Sequence, residues 1–249
     1  MKSTTRIQYP AIGILSLSHM MNDFYSNYLP QMLPFLIVII PGFTVTQAAI
    51  LVSAFTIASS FVQPLFGYFL DGKGQRWLVY VGTLWMAIML SMTGIVHSYP
   101  VLVLLAALAG LGTAAFHPQA STMVNLLSGD RKAVLLSAFV ASGNFGFAFG
   151  PLLLIPLFQR YGLHATLVTI VPGILVALLL LLYAPRVVTS SGAAPTLRAV
   201  ATTLRTAARE LSALVGVIAI RSLAYTGMLT ILPLYFRSRH LSNIAASHL

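Results

Sequence analysis

No cysteine occurs in the chain, which excludes disulfides, thiolate metal sites and thiol nucleophiles. Acidic residues are almost as scarce: Asp23, Asp71, Asp130 and Glu210 are the only ones among 249 residues. Charged residues of either sign make up 7% of the chain, against 58% that are hydrophobic. A soluble domain of this size has too much surface to cover with so few charges, so the composition implies lipid as the solvent. The 14 Lys and Arg leave a formal net charge of +10, which in a soluble protein suggests a nucleic-acid partner. Here the basic residues stand at the ends of apolar runs, not in one patch with interleaved aromatics. That is the pattern of membrane topology signals, and no nucleic acid is expected.

A bilayer core about 30 Å thick needs roughly 20 apolar residues at 1.5 Å each. Six runs meet that test before a polar gap: 10–40, 46–70, 77–96, 101–127, 134–158 and 165–184. Lys2 and Arg6 before the first run imitate a secretion signal, but Asn22 and Asp23 interrupt the run and no small-residue cleavage site follows. A retained first helix is expected, with Pro30 and Pro34 as the places where it bends. The expected fold is an all-α integral membrane bundle with six spans in residues 1–184. Residues 185–210 form a cytoplasmic linker, and residues 211–249 hold a seventh span, 211–236, with the start of an incomplete second half.

Short connections make neighbouring spans antiparallel. With the N-terminus in the cytoplasm, the inner side holds Lys2, Arg6, Lys73, Arg76, Arg131, Lys132, Arg186, Arg198, Arg205 and Arg209. The outer side holds only Arg160, Arg237 and Arg239, and Arg221 falls within a span. That bias sets the N-in orientation. In the linker, Leu197, Val200, Leu204, Ala208 and Leu211 recur at helical spacing, with Arg198, Arg205 and Arg209 at other positions. An interfacial amphipathic helix on anionic headgroups and a solvated linker both fit that pattern.

Polar side chains are costly in lipid, so each one inside a span calls for a reason. His19, Asn22, Asp23 and Ser26 share one helical face, because positions i, i+3, i+4 and i+7 are neighbours. Asp23 lies deep in its span, where an acid is either neutral or paired, and it is read as functional ahead of a hydrogen-bonded packing contact. His19 and Asp23 also make half of a metal site, but no further ligand stands at telling spacing. No metal and no cofactor are expected. Gln63 beside Pro64, His117 beside Pro118, and Asn144 are further polar positions within spans. Arg221 lies near the middle of the seventh run and needs an acid, and Asp23 is the acid at comparable depth. An Asp23–Arg221 contact in a water-filled cavity is therefore expected. Gly143, Gly146 and Gly150 line a helix face smooth enough for a second backbone to approach, and Pro151 follows as a bend. In the inner loop between the second and third runs, Gly67, Asp71, Gly74 and Arg76 form a tight basic turn suited to a cytoplasmic gate.

The six spans, the long basic inner loop and the new span resemble the N-terminal half of a major facilitator superfamily transporter, followed by the start of its second half. The segment from Gly67 to Arg76 matches that superfamily's loop motif at Gly67, Asp71, Gly74 and Arg76. It departs at Phe69, Gly72 and Gln75. More narrowly, the chain is similar to the fosmidomycin-resistance type of efflux transporter. The residues that carry this likeness are His19-Met-Met-Asn22-Asp23-Phe-Tyr25, Leu29-Pro30, Leu33-Pro34, Ala115-Phe-His117-Pro118 and Gly143-Asn144-Phe-Gly146. The superfamily often carries an arginine four residues before a fourth-span glycine, whereas here Ala106 precedes Gly110. The resemblance implies a bacterial inner-membrane antiporter that exports a small polar or amphiphilic drug, such as a phosphonate antibiotic, in exchange for protons. On it, His19, Asn22, Asp23, Tyr25, Gln63, His117, Asn144 and Arg221 lie along the substrate and proton path. The superfamily has twelve spans in two halves with the site between them, so a truncated form, or a half needing a partner, is expected.

Two other readings stay open from sequence. One is a membrane protein that does not transport. The other is an integral membrane enzyme using His19, Asp23 and His117, against which stands the lack of a clustered aqueous-loop constellation. The topology is directly testable. Reporter fusions after Gly192 are expected to report cytoplasm, and fusions after Arg239 the outside. The reverse at both sites contradicts the N-in orientation.

Overall fold

The computed structural model describes residues 7–70, 75–185 and 196–238, and among these the regular structure is entirely helical. The elements are α1 (Tyr9–Ser26), α2 (Tyr28–Ile39), α3 (Val45–Leu70), α4 (Trp77–Met92), α5 (Tyr99–Leu127), α6 (Lys132–Tyr161), α7 (Ile170–Tyr183), α8 (Leu197–Thr206) and α9 (Ala208–Ser238). Short 3₁₀ segments, Thr93–Ile95 and Leu163–Thr169, extend α4 and precede α7. Six helical stretches are long and apolar enough to cross a membrane: Val45–Gly67, Trp77–Ile95, Tyr99–Leu127, Lys132–Tyr161, Leu163–Tyr183 and Ala208–Leu232. The protein is an all-α, multi-pass membrane bundle.

The first apolar run is not one helix. It breaks at Asn27, between α1 and α2, ahead of the prolines. Pro30 has no N–H to donate to the Ser26 carbonyl one turn back, and its ring crowds that carbonyl, so the regular ladder ends before it. Asn27 closes α1 with its own N–H on the Asp23 carbonyl at 3.2 Å. Its side-chain amide donates to the Phe147 carbonyl on α6 at 2.7 Å. By contrast, Pro34, Pro64, Pro118, Pro151 and Pro156 all sit inside continuous helices.

Glycines set how closely the helices approach. A Cβ on Gly82 would lie 2.7 Å from the Gly112 carbonyl oxygen, and one on Gly112 would lie 2.6 Å from the Gly82 carbonyl oxygen, so α4 and α5 touch backbone to backbone. On α6, a Cβ on Gly146 would overlap the Met20 carbonyl, and one on Gly143 would overlap Asp23 and His19. At Gly150 it would come within 3.3 Å of Asn27. One face of α6 is therefore pressed against α1 along its length, which in lipid gains dispersion contacts that a larger side chain would forbid.

Two apolar clusters form the core. One gathers Tyr25, Tyr28, Met32, Leu33, Phe55, Met86, Leu90 and Phe158. The other gathers Leu15, Val79, Phe116, Met123, Phe139 and Leu180. Along α1 the clusters meet on either side of His19, Asn22 and Asp23, and along α4 on either side of Thr83. A polar layer thus lies inside the bundle between two dry ones.

Gly146→Val is expected to lower the melting temperature in detergent sharply, costing about 3 kcal/mol, the upper end for overpacking, because a backbone carbonyl cannot move aside as a side chain can. Gly13→Ala, at an exposed position of α1 with nothing within 4 Å, is expected to be neutral or stabilising. Equal melting temperatures for the two variants would show that the α1–α6 contact is looser than described.

Candidate functional site

The polar layer centres on Asp23. Its Oδ2 lies 3.4 Å from Nε2 of His19, one turn back on α1. Its Oδ1 lies 3.6 Å from Nε2 of His117, which α5 brings in from far along the chain. The carboxylate and the His117 side chain are 20% and 22% exposed, and His19 only 8%, so the cluster is enclosed yet open on one side. Gly143 on α6 forms the wall behind it, since even a methyl there would overlap the carboxylate and the His19 ring.

The orientation of His19 is fixed from α6. Its Nδ1 lies 2.7 Å from the Phe139 carbonyl oxygen, which can only accept, so Nδ1 carries a hydrogen and donates it. Its ring stacks on Phe139 with centroids 4.1 Å apart and planes 14° from parallel. His117 meets it edge-on at 5.0 Å. With Nδ1 protonated, Nε2 of a neutral His19 presents a lone pair to the carboxylate. Two acceptors facing one another repel, and a proton on either Nε2 or Oδ2 would turn that repulsion into attraction.

Asn22 lies beside this pair and is fully buried. Its Nδ2 donates to the Ser18 carbonyl and to Thr83 Oγ1 on α4, both at 2.9 Å. Its Oδ1 is buried with no hydrogen-bond partner among the described residues. Tyr25 turns to the other side of α1, where its hydroxyl donates to the Thr169 carbonyl. With Tyr28, Thr169, Thr166 and Ser91 it makes a second buried network that ties α1 and α2 to the segment leading into α7.

The other positions singled out from sequence do not join this centre. Gln63 is half-buried on α3, and Asn144 is exposed on α6, on a different face from Gly143. Arg221 is exposed on α9, and the expected Asp23–Arg221 contact is not formed. The recorded ion-pair partners of Asp23 among the described residues are the two imidazoles. The reason is placement: α9 packs beside α2 and α3, and its Tyr225 ring meets Phe147 at 5.9 Å, while α1, α5 and α6 enclose Asp23. Between α9 and the bundle is a cavity of about 210 Å³ whose lining includes Ser26, Phe55, Thr113, Phe147, Tyr225 and Thr230. The Thr230 hydroxyl is buried there without a partner among the described residues.

Of the gate-loop residues, Asp71 and Gly74 lie outside the described residues, and a Cβ on Gly67 would meet nothing within 4 Å. Arg76 donates from its guanidinium to the Ala184 carbonyl at 3.1 Å, tying the start of α4 to the end of α7. Ala106 is fully buried in an apolar cluster, where a charged side chain would have no room. Pro151 lies within α6, which continues to Tyr161. Sequence reasoning missed Thr83, Phe139 and Thr169. Thr83 is the one polar residue in the middle of the fourth helix and was visible on that ground, whereas a backbone carbonyl such as that of Phe139 leaves no trace in the sequence.

Thr83→Val removes the hydroxyl that receives Asn22 and is expected to cost about 1–2 kcal/mol of stability. Thr83→Ser is expected to keep most of it. Unfolding in mixed micelles measures both, and equal losses would show that the hydroxyl does not hold Asn22.

The Major Facilitator Superfamily model matches residues 13–249. The Fosmidomycin resistance protein of Escherichia coli (strain K12) is 33% identical over 164 residues, covering 64% of this chain and 40% of that protein. An uncharacterized MFS-type transporter of Bacillus subtilis (strain 168) is 31% identical over 166 residues, with the same shares. The match to these curated relatives spans about two fifths of their length. Together with the helical membrane bundle and a family match over nearly all its residues, this means that the chain belongs to the Major Facilitator Superfamily.

Proposed function

We propose that the chain is the N-terminal part of an exporter that moves a small polar or amphiphilic compound, of the phosphonate-antibiotic class, out across the bacterial cytoplasmic membrane in exchange for protons. The observation that supports coupling is the carboxylate of Asp23 held between two imidazoles inside a membrane bundle. With the proton shared between His19 and Asp23, that pair is neutral overall, and without it the pair carries one uncompensated negative charge. In a low-dielectric interior the neutral form is cheaper to enclose, so loading the proton favours the closed arrangement through which the carrier turns over. The buried Ala106 supports the same assignment, because no fourth-span arginine is available at that position.

The substrate class rests on the name of the Escherichia coli relative and on the cavity beside Ser26, whose lining of hydroxyl groups and aromatic rings suits a small molecule with polar and apolar parts. The second wall of the path belongs, in this reading, to a C-terminal half of the kind other superfamily members carry. The N-terminus lies in the cytoplasm, and the linker helix α8, capped by Thr196 at its start, rests on the inner leaflet through Arg198 and Arg205.

The test uses a full-length transporter carrying this sequence as its first part. Asp23→Asn is expected to reduce proton-driven drug export by at least about tenfold, a conservative share of the usual contribution of a proton-transferring group. It is also expected to flatten the pH dependence of export while drug binding persists. Asp23→Glu is expected to keep part of the activity. Export by Asp23→Asn with an unchanged pH profile in proteoliposomes would remove Asp23 from coupling and leave it a packing contact.

A further inference from the structure

Sequence spacing offered a metal ion two ligands on α1, His19 and Asp23, and the fold supplies a third. One ligand atom from each of His19, Asp23 and His117 lies within 4.8 Å of the other two. The two nitrogen-to-oxygen separations are 3.4 Å and 3.6 Å. Ligands bound to one tetrahedral zinc-sized ion at about 2.0–2.2 Å stand roughly 3.3–3.5 Å apart, so both imidazole-to-carboxylate separations already stand near that spacing. The widest separation in the cluster, no more than 4.8 Å, has to close by at most about 1.5 Å. From this geometry we infer that the His19–Asp23–His117 cluster is a binding site for a divalent transition-metal ion of the zinc class.

Three further features of the site support this. The remaining ring nitrogen of His19 donates to the Phe139 carbonyl, the outer bond that fixes the tautomer and aims Nε2 at a metal. Stacking on Phe139 holds that ring in plane, so little side-chain freedom is lost on binding. The partial exposure of Asp23 and His117 leaves a way in and a fourth position for water. Two imidazoles and one carboxylate select a borderline ion, whereas calcium and magnesium prefer shells of oxygen alone. The ion and the shared proton occupy the same atoms, so one excludes the other. Metal binding nevertheless stands apart from the transport reading, since it needs only the folded bundle.

The experiment is calorimetric titration of zinc chloride into the purified chain in detergent, without a polyhistidine tag. One ion per chain is expected, with low-micromolar affinity or tighter. His117→Ala and Asp23→Asn are each expected to weaken binding at least tenfold. A chain with His97, His164, His240 and His248 replaced by Ala is expected to bind like the parent, and millimolar magnesium is expected not to compete. X-ray absorption at the zinc edge on the unmodified chain serves as the check if a variant misfolds, and should show nitrogen and oxygen ligands with two imidazoles. No saturable uptake would overturn the assignment. So would binding lost with the other four histidines and kept in His117→Ala, or a spectrum with fewer than two imidazoles. None of these outcomes bears on drug export, which is read separately.

Discussion

The close approach of α6 to α1 governs the rest of the bundle. Gly143, Gly146 and Gly150 have no side chains to hold the helices apart, so the Met20 carbonyl, the His19 ring and Asn27 all come to rest against the α6 backbone. In lipid there is no hydrophobic drive between helices, and close van der Waals contact has to supply the cohesion. The same contact brings the Phe139 carbonyl to His19 and closes the back of the Asp23 cluster, so one packing feature sets both the helix spacing and the cluster's geometry.

Polar groups in this interior are arranged by height. The tyrosine and threonine network around Thr169 satisfies its members among themselves, as a buried network must if it is to rigidify a bundle. The layer around Asp23 is different. It is partly exposed, it holds the Oδ1 of Asn22, which has no partner among the described residues, and its carboxylate and imidazoles are all ionisable. The contrast is between a framework that satisfies itself and a layer that keeps an open polar valence among the described residues.

Ala106 is packed inside an apolar cluster, and the charge that the family often places on the fourth span is absent there. The ionisable groups are instead concentrated on the first helix and met by His117 from α5, so the carboxylate is balanced by imidazoles, whose charge is itself variable, where an arginine's charge would be fixed.

The sequence by itself determined that the chain lives in a membrane, where its helices run, and that His19, Asn22 and Asp23 share a face. Hydropathy over 20 residues and helical spacing over seven are local properties, and in lipid the backbone has little choice but to form helices. Even the Pro30 break had a local cause, though its position at Asn27 needed the contact with Phe147 to become visible. Only the tertiary structure decided that His117 completes the Asp23 site and that Arg221 does not. Comparable depth in their spans suggested that Arg221 meets Asp23, but α9 settles beside α2 and α3, away from the enclosure of α1, α5 and α6. Which helices become neighbours depends on which small residues let backbones approach, summed over every face at once, and spacing along one chain segment carries no record of that sum.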